Sequence, residues 1–152
     1  MFRSWQVPAG SARVRSVAPD CEAGRARLAA AARFAESAQV HGLHAEAGYV
    51  LFYDAARNAL SAVLAVAGRR VSDGRGAHAV TISEAGRILG PSHRAAIITI
   101  DGARIARNRT EYDAQPISRQ QLDAIQHASQ AMLDVARAYV DLQCASPLVD
   151  GT

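Results

Sequence analysis

The residues best suited to chemistry form one cluster, Arg-Ile-Ala-Arg-Asn-Arg-Thr-Glu-Tyr, at positions 104–112. Residues four apart share a face of a helix, so Arg104, Asn108 and Tyr112 lie on one side, and Arg107 and Glu111 on another. Arginine carries a planar, permanently charged donor fork that suits phosphate or carboxylate. The same spacing also fits a solvated helix end with an exposed ion pair between Arg107 and Glu111.

Two further segments carry polar side chains that can face a ligand. Asp54 and Arg57 lie on the polar side of a predicted helix, where spacing alone favours a solvated surface. His78 follows a Gly-Arg-Gly turn and opens a short helix, and helix N-termini favour anions. The other histidines are expected to have structural or surface roles, and the sequence predicts no metal site and no cofactor. They are His41, His44, His93 and His127.

Helices are the elements expected to position these groups. The chain of 152 residues contains 33 alanines, and alanine is the strongest helix former. Capping residues mark helix starts at Asp20, Ser92 and Ser118, and Gly68 marks a helix end. Apolar spacing predicts helices over about residues 20–39, 45–67, 78–89, 92–111 and 118–142. The β-branched run at 97–100 is assigned to a helix, because a lone strand would leave its edges unpaired.

The predicted fold class is therefore all-α, a bundle of four main helices plus one short helix. The length predicts one domain. Residues 1–19 are expected to form a flexible arm because Pro8, Gly10 and Pro19 interrupt any period, residues 20–145 the bundle, and residues 146–152 a frayed tail.

Charge and cysteine content restrict the compartment and the partners. The formal net charge of +3 permits an RNA partner without requiring one. Cys21 and Cys144 lie near opposite ends of the chain, which is not the pattern of a secreted disulfide framework. No apolar stretch approaches the roughly 20 residues that span a bilayer. The expectation is a soluble cytoplasmic protein with no membrane partner.

Three segments together resemble the HEPN superfamily, the higher-eukaryote and prokaryote nucleotide-binding domain, and especially its small actinobacterial single-domain members. They are Tyr-Val-Leu-Phe-Tyr-Asp-Ala-Ala-Arg at 49–57, Gly-Ala-His at 76–78 and Arg-Asn-Arg-Thr-Glu-Tyr at 107–112. The resemblance covers about residues 20–145. It implies a homodimer that brings two Arg-Asn motifs together across a cleft. Many members are metal-independent endoribonucleases of toxin–antitoxin or phage-defence systems.

The resemblance also implies roles for single residues. Arg107 would hold the scissile phosphate, and Asn108 would orient the site or bond to the partner chain. Tyr112 stands where the family has a histidine, and a tyrosine with a pKa near 10 is a poor base at neutral pH. Glu111 or His78 would then have to act as the base. Alternatively, Tyr112 accepts a nucleotide from a nucleotidyltransferase partner that acts as the antitoxin.

Three hypotheses for function follow. The first is a HEPN protein that binds RNA or a nucleotide, using Arg104, His78, Arg57 and Asp54 beside the Arg-Asn motif, with endoribonuclease activity weakened by Tyr112. The second is a HEPN binding module without catalytic activity. The third is a DNA-binding regulator with a helix-turn-helix within residues 69–89, where the available cations are Arg69, Arg70, Arg75 and Arg87.

Overall fold

The structure, a computed structural model, describes residues 12–113 and 116–145, without the side chains of residues 109–113. In these ranges the helices are α1 (Cys21–Ala38), α2 (Ala45–Ala67), α3 (Ala77–Leu89), α4 (Arg94–Asp113) and α5 (Arg119–Gln143). The strands are β1 (Val14–Ser16) and β2 (Arg69–Val71), and a 3-10 turn at Pro91–His93 precedes α4. The all-α bundle is confirmed, with α3 as its short helix. The expected tail and positions 1–11 of the expected arm lie outside the described residues.

Most of the helix ends lie where the capping residues predict. The Asp20 carboxylate accepts a hydrogen bond from the Ala23 backbone at 2.9 Å. Ser118 and Gln121 form the reciprocal bonds of a capping box, and Gly68 ends α2 with a φ of 73°. The prediction that Ser92 caps the fourth helix is wrong. Ser92 lies inside the 3-10 turn, which has no side-chain cap, because Pro91 already fixes the φ that starts this turn.

Helix α2 is the centre of the bundle. Its side chains pack against α3, α4 and α5 on one side and against α1 and α5 on the other. The expectation that no apolar stretch is long enough to span a bilayer is wrong for α2, which passes by length and composition with a mean hydropathy of 1.3, but 61% of that segment is buried inside the fold. This burial is that of a core helix.

Small residues let α1 approach α2 closely. Ala31 and Ala35 of α1 are buried against alanines of α2. At Gly24 the approach is closest, because an added Cβ would lie 2.5 Å from the Val66 Cγ2 atom. The tight contact fixes α1 beside the polar side of α2, where a basic pocket is found.

The two strands were not predicted from the sequence. They pair antiparallel, with Val14 opposite Val71, so part of the expected flexible arm forms a ribbon with residues 69–71 instead. Three residues are too few to show the alternation that marks a strand. The pairing continues past the strands, since the Ala12 amide donates to the Arg75 carbonyl at 3.0 Å. This contact fixes the loop that leads into α3.

A disulfide joins Cys21 to Cys144, with the two Cα atoms 5.9 Å apart. It ties the first residue of α1 to the residue that follows α5. The expectation that cysteines this far apart do not form a disulfide framework is corrected by this bond. A separation of 123 positions carries no signal of proximity, and only the packing of α1 and α5 on α2 brings the two thiols together.

Candidate functional site

Three of the predicted site residues of α4, namely Arg104, Arg107 and Asn108, meet His78 in one pocket between α2, α3 and α4. This small pocket has a volume of about 310 Å³ and is lined by Arg104, Arg107, Asn108, His78 and Tyr53, together with the loop before α3. The Ile100 and Ala103 side chains of α4 are buried in the core. Because these core residues fix the rotation of the helix, its arginines lie at the edge of the core and face the pocket.

The two arginines of the pocket differ in their partners. Arg104 donates from Nε to the Asp101 carboxylate at 2.9 Å. The Arg107 guanidinium lies over the Tyr53 ring, 5.8 Å from its centroid, and its buried Nε has no hydrogen-bond acceptor among the described residues. A buried donor without a partner costs free energy. Arg107 is therefore the cation best placed to take an anionic ligand.

Tyr53 and His78 form a polar pair in the wall of the small pocket. Tyr53 is 0% exposed, and its hydroxyl lies 3.4 Å from the His78 Nδ1 atom. Burial raises the pKa of Tyr53, against the opposing effect of the nearby arginines. Partial desolvation of the His78 ring lowers its pKa, and the positive charges of Arg57 and Arg107 lower it further. At neutral pH the pair is therefore an uncharged phenol beside an uncharged imidazole.

The backbone conformation of Gly76 sets the direction in which α3 begins, so that its first turn lines the small pocket. Gly76 is the residue before the helix, with a φ of 78° and no side-chain cap. Such a left-handed conformation is routine only for glycine. Ala77, His78 and Ala79, the first turn of α3, line the pocket. The N–H groups of a first helical turn lack acceptors within the helix and favour an anion.

Arg57 and Asp54 lie one turn apart on α2, with 3.7 Å between Nη2 and Oδ1. Arg57 does not line the small pocket. It lines an adjoining pocket of about 690 Å³, the large pocket, which also contains Arg27, Arg69 and Arg70. The Arg57 Nε atom is buried without a hydrogen-bond partner in the described part of the chain. Asp54 lines neither of the two pockets, but its charge raises the pKa of His78.

Glu111 and Tyr112 belong to the backbone of α4, but their side chains lie outside the described residues. Their predicted roles stay predictions. The helix-turn-helix of the third hypothesis is wrong. Within residues 69–89 the chain forms strand β2 and the single helix α3, so there is no first helix to pair with a recognition helix.

Sequence reasoning missed Tyr53 because it lies on the apolar face of α2. A signal was present, since a buried tyrosine places a hydroxyl in the core and that hydroxyl needs a partner. The large pocket was missed because its arginines come from α1, α2 and β2, which are distant in sequence.

Within the described ranges, no group of three or more His, Cys, Asp or Glu side chains is placed to hold a metal ion. No family model, no curated protein and no solved structure matches this chain. The fold and the site together define an all-α bundle with an arginine-lined pocket at the start of a helix.

Proposed function

We propose that this protein binds RNA or a nucleotide in the small pocket and cleaves RNA there without a metal ion, as a HEPN-type endoribonuclease of a toxin–antitoxin or phage-defence system in the cytoplasm. The observation that carries the proposal is Arg107, whose guanidinium lines the pocket with a buried, unpartnered Nε. A phosphodiester in the pocket supplies acceptors for the guanidinium fork of Arg107.

The charges and dipoles that line the small pocket favour the negatively charged transition state of phosphodiester cleavage. Arg107 and Arg104 approach from α4, and the first turn of α3 faces them. Donors fixed in position before the reaction stabilise the charge that develops on the phosphate as the 2′-oxygen attacks. A bidentate arginine fork supplies two such donors at once.

His78 is suited to be the base that Tyr112 cannot supply. When the Nδ1 proton is donated to the Tyr53 oxygen, Nε2 keeps a free lone pair. Nε2 then removes the proton of the ribose 2′-hydroxyl, the O2′–P bond forms and the P–O5′ bond breaks. The leaving 5′-oxygen takes up a proton from the imidazolium. The products are a 2′,3′-cyclic phosphate and a 5′-hydroxyl.

The pH profile of RNA cleavage tests this role of His78. A base works in its unprotonated form, so cleavage falls as the pH drops through the pKa of His78. Because desolvation and three arginines lower that pKa below its usual 6.5, we expect the acid limb of kcat/KM below pH 6.5 and full activity at pH 7. In Asp54→Asn the limb is expected to move lower still, since Asp54 raises the pKa of His78. An unchanged acid limb in His78→Ala would exclude His78 as the base.

A binding module without catalysis is the second candidate, favoured by Tyr112 at the position of the motif histidine. Incubation of the purified protein with total RNA in EDTA separates the two candidates. If the protein is an endoribonuclease, the wild type is expected to cleave RNA. If the wild type is inactive and Tyr112→His cleaves, the protein is a binding module that has lost its base. If neither the wild type nor Tyr112→His cleaves RNA, the proposed endoribonuclease activity is contradicted.

We also propose that the protein forms a homodimer through α4. Ile98 and Ile105 are 60% and 43% exposed, and Gly102 between them has open space where a Cβ would lie. The three residues share one face of the helix, and the exposed Asn108 borders that face. Sedimentation equilibrium of the wild type and of Ile98→Glu measures the association. A monomeric wild type at micromolar concentration contradicts the dimer.

A further inference from the structure

The large pocket adjoins the small pocket at the first turn of α3. Ala77 and His78 line both, so the first turn of α3 stands as a ridge between them. Arg107 approaches His78 from the small pocket and Arg57 approaches it from the large pocket, and both cations act on the pKa of His78. Each has a buried Nε without a hydrogen-bond partner among the described residues. Two unsatisfied donors therefore lie on the two sides of one histidine.

The large pocket is basic. It contains four arginines, Arg27, Arg57, Arg69 and Arg70, against Asp20 and Asp73. The Asp20 carboxylate is engaged at the start of α1, where it accepts the Ala23 amide. The lining carries two more positive than negative charges, which favours an anionic ligand, and Arg57 and Arg69 also pair with Asp54 and Glu84 beside the pocket.

Three of the four arginines are held in place by neighbouring side chains. Arg27 donates to the Asn58 amide oxygen at 3.1 Å, and Arg69 donates to the Ser16 hydroxyl at 3.0 Å. Arg57 is held by the Asp54 carboxylate. Donors that are already ordered lose less conformational entropy when a ligand binds. Arg70 differs, because its side chain is exposed on β2 at the edge of the pocket.

We propose that the large pocket binds the nucleotide next to the phosphate held by Arg107, so that the ligand is a single-stranded RNA that crosses His78 from one pocket to the other. This inference rests on the proposed function of the small pocket. Arg57 and Arg70 contact the second phosphate. Leu64, Ala65 and Val71 give the pocket an apolar surface against which a splayed base packs.

A single strand fits this arrangement better than a duplex. Bases enter a recessed pocket only when they are unstacked, and protein recognition of unstacked RNA uses contacts to the base faces, including contacts from guanidinium planes. A duplex presents a continuous surface of phosphates and keeps its bases inside the stack. Such a surface reaches exposed cations but leaves a recessed pocket such as this one empty.

The test is binding of a fluorescent hexaribonucleotide with 2′-O-methyl riboses, which cannot be cleaved, against a ribonucleoside monophosphate. The wild type is expected to bind the hexanucleotide more tightly. Arg70→Ala is expected to weaken hexanucleotide binding about tenfold and to reduce the salt dependence by about 0.7 in slope. It is expected to leave the monophosphate affinity unchanged. Arg33→Ala, an exposed arginine of α1 outside both pockets, is the matched control.

The outcomes separate this inference from the proposed function. If Arg107→Ala weakens binding of both ligands but Arg70→Ala behaves like Arg33→Ala, the large-pocket subsite is wrong and the small-pocket function stands. If Arg107→Ala binds both ligands like the wild type, the proposed function fails and this inference fails with it. Equal binding of a hexanucleotide duplex and the single strand overturns the assignment of a single-stranded ligand.

Discussion

Replacing Arg107 by alanine is expected to reduce RNA cleavage by about 10²- to 10³-fold, the effect of removing one fixed donor from a developing negative charge. The fold should persist. The side chain is half-buried at the edge of the core, and the stabilising contact it loses is the one with the Tyr53 ring, worth about 1 kcal/mol. Loss of the unpartnered Nε removes a cost rather than a bond. Single-turnover cleavage of a labelled RNA, beside a thermal unfolding curve, measures both effects.

Two matched variants make this result specific. Arg107→Lys keeps the charge but loses the fork, and is expected to recover only part of the activity if bidentate contact with phosphate matters. Arg94→Ala removes an exposed arginine of the same helix that lies outside both basic pockets, and should cleave RNA like the wild type. A folded Arg107→Ala protein with wild-type cleavage refutes the proposed role of the small pocket.

The helices of this protein are predictable because their signals are local. Asp20, Gly68 and the Ser118–Gln121 capping box each act within one turn, and apolar spacing within a helix shows which face is buried. Local signals of the same kind predicted that the Arg-Asn cluster lies on a helix and that His78 lies at the start of one. The assignment of residues 97–100 to a helix went against their local β-propensity and depended on the lack of a partner strand, and Ile100 is indeed a core residue of α4.

Only part of the candidate site was predictable, because several of its contacts join residues that are distant in sequence. The Tyr53 hydroxyl meets a histidine 25 positions away, and nothing in the spacing of α2 distinguishes Tyr53 from its core neighbours. The β1–β2 ribbon pairs residues more than 50 positions apart. The arginines of the large pocket become one cluster only when α1 packs on α2 through Gly24. Each of these features depends on the packing of whole elements.

Reduction of the Cys21–Cys144 bond is expected to lower the free energy of unfolding by about 4 kcal/mol, because the bond closes a long loop and restricts the unfolded chain. For a chain of this length the melting temperature should fall by roughly 10 °C. Urea unfolding with and without a reductant measures the loss. The double variant Cys21→Ser and Cys144→Ser should match the reduced wild type and should not respond to the reductant. An equal midpoint for the reduced and oxidised wild type contradicts the prediction.

The reduced protein is nevertheless expected to stay folded, because the bond is not the only contact at this end of the bundle. Val66 and Val140 are buried beside Cys144, and the Arg25 guanidinium donates to the Cys144 carbonyl at 3.2 Å. This distinction matters in a cytoplasm, where glutathione keeps most thiols reduced. There the bond persists only if its reduction potential lies below about −300 mV.

The position of the bond also determines which pocket its loss affects. Asp20 and Ala23 lie within two positions of Cys21, and both line the large pocket and not the small one. Loosening the start of α1 is therefore expected to weaken binding of the hexanucleotide and to spare binding of the monophosphate. Equal weakening of both ligands on reduction would mean that the whole bundle has loosened. A selective loss would tie the redox state of this disulfide to the length of RNA that the protein holds.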